Sequence, residues 1–291
     1  LFKNARILSM KNNDIVFGEL LVVGNKIAYI GDEYKGEEKI DRVIDCKGNV
    51  LMPGFKNAHA HSPMPFLRSR TDDMALEEWL FEHVFPYEDK LTPDDVYHLS
   101  KVAFMEYLTS GITASFDMYF FPEAIARSAN DFGYRDLVMG TYSAKEKRDA
   151  PYLTYLYRKY NDNPNSLSKF VIGTHALYTA SPEELTTVNE TIANTNSPFW
   201  SHISETVTEQ EECIAKRGMT PTEYFDSLDL FRYGGGGFHC CHLSEHDLEI
   251  FKDKNLTLVT CPGSNMKLAS GVPQLDKAFK MGISIAIGTD G

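Results

Sequence analysis

The stretch Val50-Leu51-Met52-Pro53-Gly54-Phe55-Lys56-Asn57-Ala58-His59-Ala60-His61 begins as an apolar run and ends on two histidines. We predict a buried strand over Val50–His59. A strand alternates its faces with a period of two, so His59 and His61 are expected to project on the same side. Taken alone, the pair fits a metal site and an ordinary pair of surface or core histidines about equally well.

Seven similar apolar runs follow, and helix-period segments separate them, which is typical of βα units around a parallel sheet. These runs are Ile112–Tyr119, Asp136–Ser143, Phe170–Leu177, Phe199–Ser204, Gly237–His242, Leu256–Cys261 and Ile283–Thr289. Eight such units predict an α/β protein with a (β/α)8 barrel of the TIM type over residues 51–291. In such barrels the chemistry lies at the C-terminal ends of the strands.

Residues 1–50 have a different pattern. Segments with alternating hydrophobicity flank Gly24-Asn25, a dipeptide typical of tight hairpin turns. We predict a small β-sandwich module before the barrel. Within the barrel, Thr92-Pro93, Ser181-Pro182 and Ser244 are predicted to begin helices, because each offers a capping side chain followed by acidic residues.

The net charge and composition of the chain limit the classes of binding partner that we expect. The formal net charge is −12, from 29 basic and 41 acidic residues. Such a surface repels phosphate backbones and anionic lipids, so we expect a small-molecule substrate, no nucleic acid and no membrane. The five cysteines are scattered without a CxxC pair, and residues 1–6 lack the apolar region of a signal peptide. These features predict a cytoplasmic protein with buried thiols.

The polar residues at the predicted strand ends carry the functional signal. Five of the nine histidines lie there, namely His59, His61, His175, His202 and His239, and Asp290 follows the eighth run. Imidazoles with one carboxylate suit zinc, iron, nickel or cobalt rather than magnesium or calcium. A bound cation of this kind can lower the pKa of a water molecule to about 7.

Two residues beside this set could move protons. Glu205 lies three residues after His202, within reach of a substrate atom near the metal, and His239 could orient or deprotonate the water. The alternative for Glu205 is an ordinary carboxylate that stabilises the free N–H groups at a helix start.

Motifs through nearly the whole chain resemble the amidohydrolase superfamily, in its branch of S-adenosylhomocysteine/5′-methylthioadenosine deaminases and s-triazine chlorohydrolases. The resembling stretches are residues 51–55 leading to His59-Ala60-His61, Glu77-Glu78-Trp79-Leu80, Gly111-Ile112-Thr113, Asp117-Met118-Tyr119, His202–Glu205, His239–Leu243, Ser264–Leu268 and Gly288–Gly291. The resemblance also implies a homo-oligomer, although no residue identifies an interface.

The resemblance implies roles for individual residues. The implied metal ligands are His59, His61, His202 and Asp290, and they hold one divalent ion, zinc first, with Fe²⁺ or Ni²⁺ as alternatives. The implied catalytic residues are Glu205, His239 and Asp290. The implied substrate contacts are Trp79, Glu88, Arg148, His175 and Glu205. For Trp79, plain core packing is the alternative.

The implied activity is hydrolytic deamination of an aminopurine nucleoside such as 5′-methylthioadenosine, adenosine or S-adenosylhomocysteine, which makes the chain a hydrolase acting on C–N bonds. The alternatives are guanine or cytosine deamination, triazine dechlorination, and a non-catalytic barrel that serves as a binding module. A binuclear cyclic amidase is disfavoured, because His175 rather than a lysine ends the fourth run and Lys169 lies at its opposite end.

The sequence departs from the family pattern in two places. Of two arginines that grip the carboxylate of S-adenosylhomocysteine in the family, one matches Gly140, which has no side chain, and Arg148 is the candidate for the other. Methylthioadenosine or adenosine is therefore easier to accommodate. The chain also stops one residue after Asp290, so we expect a fragment truncated after barrel strand 8 and poorly stable on its own, without an initiator Met.

Overall fold

A computed structural model of the chain describes residues 1–12, 14–69, 74 and 76–291. The chain divides into two compact units, Leu1–Phe55 and Lys56–Gly291. No helix within the described part of the chain combines the length and the apolar character needed to cross a membrane.

The first unit contains one five-stranded sheet, at the position where a small β-sandwich module is predicted. Its strands are β1 (Phe2–Leu8), β2 (Ile15–Val23), β3 (Lys26–Gly31), β4 (Ile44–Asp45) and β5 (Val50–Leu51). Strand β1 pairs antiparallel with β2 and parallel with β4 and β5. The predicted hairpin is confirmed, since Val23 pairs with Lys26 across Gly24-Asn25.

The strand predicted over Val50–His59 is wrong as one continuous element. Val50–Leu51 pairs with β1 in the first sheet, and the first barrel strand, β6, covers Phe55–Ala60. Pro53 has no backbone N–H to donate to a sheet and Gly54 weakens a strand, so the pair interrupts the run. The apolar character is continuous because two short strands of different sheets follow each other.

The other seven predicted barrel strands are present. They are β7 (Ile112–Asp117), β8 (Arg135–Gly140), β9 (Ser168–Ala176), β10 (Phe199–Ile203), β11 (Gly235–His239), β12 (Thr257–Thr260) and β13 (Ser284–Ile287). The eight strands from β6 to β13 lie side by side in chain order. The last strand meets the first at one end, where Ala60 and Asp290 form a parallel bridge. The predicted (β/α)8 barrel is thereby confirmed.

Helices connect the strands, as expected for a barrel. They are α1 (Leu76–Glu78), α2 (Phe85–Glu88), α3 (Pro93–Thr109), α4 (Pro122–Phe132), α5 (Ala150–Asn161), α6 (Pro182–Thr195), α7 (Val207–Arg217), α8 (Pro221–Ser227), α9 (Glu245–Asp253), α10 (Pro262–Lys267) and α11 (Leu275–Lys280). Trp79–Val84 is π-helical, and Met64–Leu67 and Leu230–Tyr233 are 3-10 turns. The three predicted caps are confirmed: Thr92, Ser181 and Ser244 each accept a hydrogen bond from the first turn of a helix.

Two buried carboxyl groups lie on the neighbouring strands β7 and β8. Asp117 ends β7 and accepts a hydrogen bond from the Ser62 N–H at 2.7 Å, and Asp136 in β8 accepts one from Ser115 Oγ at 2.7 Å. Burial raises the pKa of Asp117 to about 6, and burial together with the Asp117 charge raises the pKa of Asp136 well above its ordinary value. Burial and the neighbouring Asp117 charge therefore favour the protonated, neutral form of Asp136.

The Asp136→Asn variant is expected to be more stable than the wild type at pH 8, with a midpoint higher by about 2–6 °C. A carboxyl whose pKa is raised on folding destabilises the folded state as the pH rises from the ordinary carboxyl pKa through the raised value. The amide keeps an acceptor for Ser115 and removes one charge. Thermal unfolding from pH 5 to 8.5 should show a gain that shrinks towards pH 5, whereas exposed Asp253→Asn should show none. A lower midpoint for Asp136→Asn at pH 8 would refute the interpretation that a charge on Asp136 destabilises the folded protein.

Candidate metal centre and active site

The polar residues singled out in the sequence gather at one mouth of the barrel. His59 lies in β6 with His61 just after it, His175 lies in β9, His202 lies in β10, His239 ends β11, and Asp290 follows β13. The carboxyl ends of parallel barrel strands meet at the same face, so residues far apart in sequence converge there. His59, His202 and His239 are each at most 4% exposed.

Asp290 is the hub of this cluster. Its Oδ1 atom lies 3.2 Å from His59 Nε2 and 3.0 Å from His61 Nε2, and His202 Nε2 lies 3.0 Å from His59 Nε2. One ligand atom from each of His59, His202, His239 and Asp290 lies within 4.8 Å of all the others. These distances allow a single ion to reach the set, as a site with donor bonds of about 2.0–2.2 Å requires.

Hydrogen bonds from the Nδ1 atoms orient the His61 and His202 rings. His61 Nδ1 lies 2.5 Å from the Met118 carbonyl oxygen, and His202 Nδ1 lies 2.8 Å from the His175 carbonyl oxygen. A carbonyl can only accept, so both Nδ1 atoms carry the proton and donate. In the neutral rings, Nε2 then turns a lone pair towards the cluster. Such second bonds orient metal-ligating histidines in general, so the donor set fits a divalent cation.

The electrostatics are those of a cation site. Burial lowers the pKa of His59 to about 3 and that of His175 to about 4, so both rings are neutral near pH 7. Burial also opposes protonation of His61, but the hydrogen bond and charge of Asp290 outweigh it and raise its pKa to about 9. The cluster therefore favours a positive charge even without an ion, and metal binding at His61 would release its extra proton.

The backbone is strained where the cluster is built. Ser204, His239 and Asp290 have φ values of 49°, 66° and 64°, in the left-handed region that side chains with a Cβ rarely adopt. Gly288 allows β13 to approach β6, because a Cβ at that position would lie 2.7 Å from His59 Cβ. Strain of this kind collects at functional sites, where the surrounding structure holds it in place.

Glu205 lies beside the cluster and is 3% exposed. Its Oε1 atom accepts a hydrogen bond from Ser270 Oγ at 2.9 Å and lies 3.7 Å from His239 Nδ1. Burial raises the pKa of the Glu205 carboxyl, and the nearby His239 partly offsets this effect. A carboxyl in this environment keeps its proton to a higher pH than an exposed carboxyl does.

Three polar residues that orient the site received no role in the sequence analysis. Asn265 Oδ1 lies 2.8 Å from His239 Nδ1, and Ser264 Oγ donates to Asp290 Oδ2 at 2.5 Å. Ser270 holds Glu205, as described above. Ser264 and Asn265 could have been identified by their position just after barrel strand β12, in the stretch Ser264–Leu268 that resembles the family. Ser270 lies farther along and carries no comparable signal.

A cavity of about 250 Å³ opens beside the cluster. Glu205, His239 and Asp290 line it, and so do the four other residues expected to contact substrate, namely Trp79, Glu88, Arg148 and His175. Aromatic side chains, including Tyr119 and Tyr178, form part of the wall. Glu184 also lines the cavity, although the sequence analysis did not identify it.

Arg148 is already paired within the wall. Its Nη1 donates to Glu146 Oε2 at 2.6 Å and its Nε donates to the Thr141 carbonyl at 2.9 Å, and the residue is 3% exposed. Gly140, the other position discussed above, is the last residue of β8. Lys169 lies away from the cluster, where its Nζ donates to the carbonyls of Tyr160, Asn161 and Asn163 at 3.0–3.2 Å.

Comparisons with known proteins agree with this architecture. Residues 50–291 match the model of the Amidohydrolase family. The chain is 36% identical over 300 residues to a 5-methylthioadenosine/S-adenosylhomocysteine deaminase of Thermoanaerobacter pseudethanolicus, covering 100% of this chain and 69% of that protein. It is 36% identical over 283 residues to a 5′-deoxyadenosine deaminase of Methanocaldococcus jannaschii, covering 94% and 66%.

A solved structure adds support at the level of the fold and the metal. An adenosine deaminase of Xanthomonas campestris with bound zinc is similar with a TM-score of 0.87 and 25% identity, covering 100% of this chain and 70% of that chain. The family match spans more than half of the chain, and the His/Asp group present here can hold a divalent metal ion. The chain belongs to the amidohydrolase family and is a hydrolase that acts on C–N bonds.

Proposed function

We propose that this chain deaminates aminopurine nucleosides by hydrolysis, with 5′-methylthioadenosine and adenosine as the first candidate substrates. The observation that carries the proposal is the position of Glu205, a buried carboxyl whose pKa burial raises, at the edge of a His/Asp metal group and in the wall of the same cavity. The names of the two relatives described above point to the same reaction.

His59, His61, His202 and Asp290 are the proposed ligands of one ion, with zinc as the first choice and Fe²⁺ or Ni²⁺ as alternatives. A divalent cation at this place supplies a Lewis acid that lowers the pKa of a water molecule. His239 belongs to the same cluster, but we assign it to the water, because its Nε2 atom lies 3.8 Å from Asp290 Oδ2, farther than the 3.2 Å and 3.0 Å that separate His59 Nε2 and His61 Nε2 from Asp290 Oδ1.

The side chains of the chain then divide the proton transfers. Glu205 donates a proton to the ring nitrogen next to the carbon that carries the amino group, which removes the charge that would accumulate there. His239 and Asp290 orient the attacking water and accept its proton. The proton taken from the water passes to the amino group, the bond from the tetrahedral carbon to this nitrogen breaks, and ammonia leaves. The remaining hydroxyl proton returns to Glu205 as the carbonyl forms. A carboxylate that must be protonated before attack needs a raised pKa, and the burial of Glu205 supplies it.

The cavity wall suits the rest of a nucleoside. Trp79 offers a flat apolar surface to the purine or its thioether end, and Glu88 offers a carboxylate that can accept hydrogen bonds from ribose hydroxyls. His175, whose carbonyl holds the His202 ring, lies in the same wall and is assigned to substrate contact.

We expect a kcat/KM for methylthioadenosine at least about tenfold higher than that for S-adenosylhomocysteine. Arg148 is paired with Glu146, and Glu88 and Glu184 add two carboxyl groups to the wall, so a substrate carboxylate would find no unpaired cation among these residues. A tenfold difference corresponds to about 1.4 kcal/mol, a modest value for like charges brought together.

The Glu146→Gln variant tests this explanation, because it releases Arg148 from its ion pair. The ratio of kcat/KM for methylthioadenosine to kcat/KM for S-adenosylhomocysteine should decrease. The Glu190→Gln variant on α6 serves as a control away from the cavity. Equal kcat/KM values in the wild type would show that Arg148 remains able to bind a carboxylate.

The direct test of the proposed function is a screen of ammonia release. The protein is expressed with zinc or iron and incubated with adenosine, methylthioadenosine, S-adenosylhomocysteine, guanine and cytosine. We expect turnover of the adenosine derivatives and little of the two free bases. Ammonia release from guanine or cytosine alone would show that the substrates are free bases and not aminopurine nucleosides. A protein with neither tightly bound metal nor turnover would favour the non-catalytic binding module.

A further inference from the structure

Glu209 is a buried carboxyl that the proposed mechanism does not use. It is the third residue of α7 and is 6% exposed. Its Oε2 atom accepts a hydrogen bond from the backbone N–H of Glu205 at 2.8 Å, and its buried Oε1 atom has no hydrogen-bond partner among the residues that the structure describes. Burying a carboxyl group is energetically unfavourable unless it makes hydrogen bonds, so the contacts of the Glu209 side chain should account for its position.

Other helices of this chain show what a carboxylate at the same position ordinarily does. In α3, α8 and α9, the third residue returns its carboxylate to the N–H of the capping residue, and the capping side chain accepts from the third N–H. These pairs are Thr92 with Asp95, Thr220 with Glu223, and Ser244 with Asp247. Each is a standard capping box.

Helix α7 has only half of this arrangement. Thr206 accepts from the Glu209 N–H at 3.1 Å, as a capping residue should. The Glu209 carboxylate, however, bonds to the N–H of Glu205, one residue before the cap. The donor to the Glu209 carboxylate is therefore the residue proposed to transfer the proton, and not the capping residue Thr206.

The surrounding backbone needs such support. Ser204, just before Glu205, has a φ of 49°, which is unfavourable for a residue with a Cβ. The Ser204 carbonyl accepts from the His242 N–H at 2.9 Å, and Ser270 holds the Glu205 side chain. The Glu209 bond is the contact that fixes the Glu205 main chain from the helix side.

We propose that Glu209 is a positioning residue, which fixes the backbone of Glu205 so that its carboxyl lies in place for proton transfer. This inference rests on the proposed function for its catalytic consequence. Displacing a catalytic group by about 1 Å can cost up to about 100-fold in rate, so the effect on kcat should be measurable.

Three substitutions separate positioning from ordinary capping. Glu209→Ala removes the acceptor. Glu209→Asp keeps the charge and can close a capping box with Thr206, as Asp95 and Asp247 do in α3 and α9, but it is one methylene too short to make the existing bond to Glu205. Glu209→Gln keeps the length and an acceptor oxygen. Glu211→Ala, exposed on the same helix, is the matched control.

We expect kcat to fall about 10- to 100-fold in Glu209→Ala and Glu209→Asp, with KM within about threefold of the wild type and the metal content unchanged. Glu209→Gln should recover most of the wild-type kcat, and Glu211→Ala should match the wild type. If Glu209→Asp keeps the wild-type kcat, Glu209 is a helix cap and the proposal is wrong. Equal losses in the Gln, Asp and Ala variants would also overturn it.

Hydrogen exchange gives a readout that does not depend on turnover. Exchange of the Glu205 amide, followed by mass spectrometry of peptides covering residues 203–207, should speed up in Glu209→Ala and Glu209→Asp but not in Glu209→Gln. Unchanged exchange in Glu209→Ala would disprove the contact. If the wild type deaminates no aminopurine, the proposed function fails, and the exchange rates still decide whether Glu209 holds the Glu205 main chain.

Discussion

The Glu205→Gln variant is expected to bind its metal ion as the wild type does. Its turnover rate is expected to be about 10²- to 10⁴-fold lower than that of the wild type. General acid–base groups contribute factors of this size. The amide keeps an oxygen that can accept from Ser270 Oγ, so the side chain should stay in place. It cannot transfer a proton, however, so the step assigned to Glu205 is the one that is removed.

Turnover is measured as ammonia release from methylthioadenosine, and the metal is measured by elemental analysis of the same samples. The matched control is Glu211→Gln, an exposed residue of α7, which should leave both values unchanged. A Glu205→Gln protein with near wild-type turnover would rule out the proton-transfer role. The remaining role would be that of a carboxylate at a helix start.

The His202→Ala variant is expected to lose the metal ion and to reduce turnover by more than about 10³-fold. His202 Nε2 lies 3.0 Å from His59 Nε2, and its Nδ1 donates to the His175 carbonyl, so the ring is fixed towards the cluster. A Lewis-acid ion contributes several kcal/mol to the transition state, and each 1.36 kcal/mol is a factor of ten.

The loss should also appear as a thermal effect, because an ion that binds only the folded state stabilises it. Added zinc should raise the unfolding midpoint of wild-type protein that has been treated with a chelator, and should not raise that of His202→Ala. The control is His98→Ala, whose side chain is 67% exposed on α3. Full metal content in His202→Ala would mean that the ion lies elsewhere.

Much of the barrel could be predicted from the sequence because its signals are local. The eight apolar runs alternate with helix-period segments, and helix starts such as Thr92-Pro93 carry their own capping chemistry. The ends of the runs were less accurate. The run Gly237–His242 is a strand over Gly235–His239, since the glycines that begin it have little hydrophobic signal and Cys240 leaves the strand with a φ of 53°.

The division at Pro53-Gly54 shows a limit of apolar patterns. Val50–Leu51 and Phe55–Ala60 belong to different sheets, and hydrophobicity does not identify the sheet with which a strand pairs. Pro53 indicates the break between the two strands, because a residue without a backbone N–H disfavours a continuous central strand.

The site was predictable where barrel geometry brings strand ends together, and it was not where side chains from loops complete it. The Arg148–Glu146 pair depends on the fold of one loop, and the Ser270 contact with Glu205 joins residues 65 positions apart. Glu209 resembles any acidic residue near a helix start. Only its actual partner, the Glu205 N–H, distinguishes it from the three capping boxes.

We propose that three imidazoles and one carboxylate hold a single ion at the mouth of this barrel. Crystals grown with zinc and measured at wavelengths on either side of the zinc absorption edge would locate this ion. We expect one anomalous peak about 2.0–2.2 Å from the Nε2 atoms of His59, His61 and His202 and from an Asp290 oxygen. A peak bound elsewhere, or no peak in a protein that turns over substrate, would contradict it.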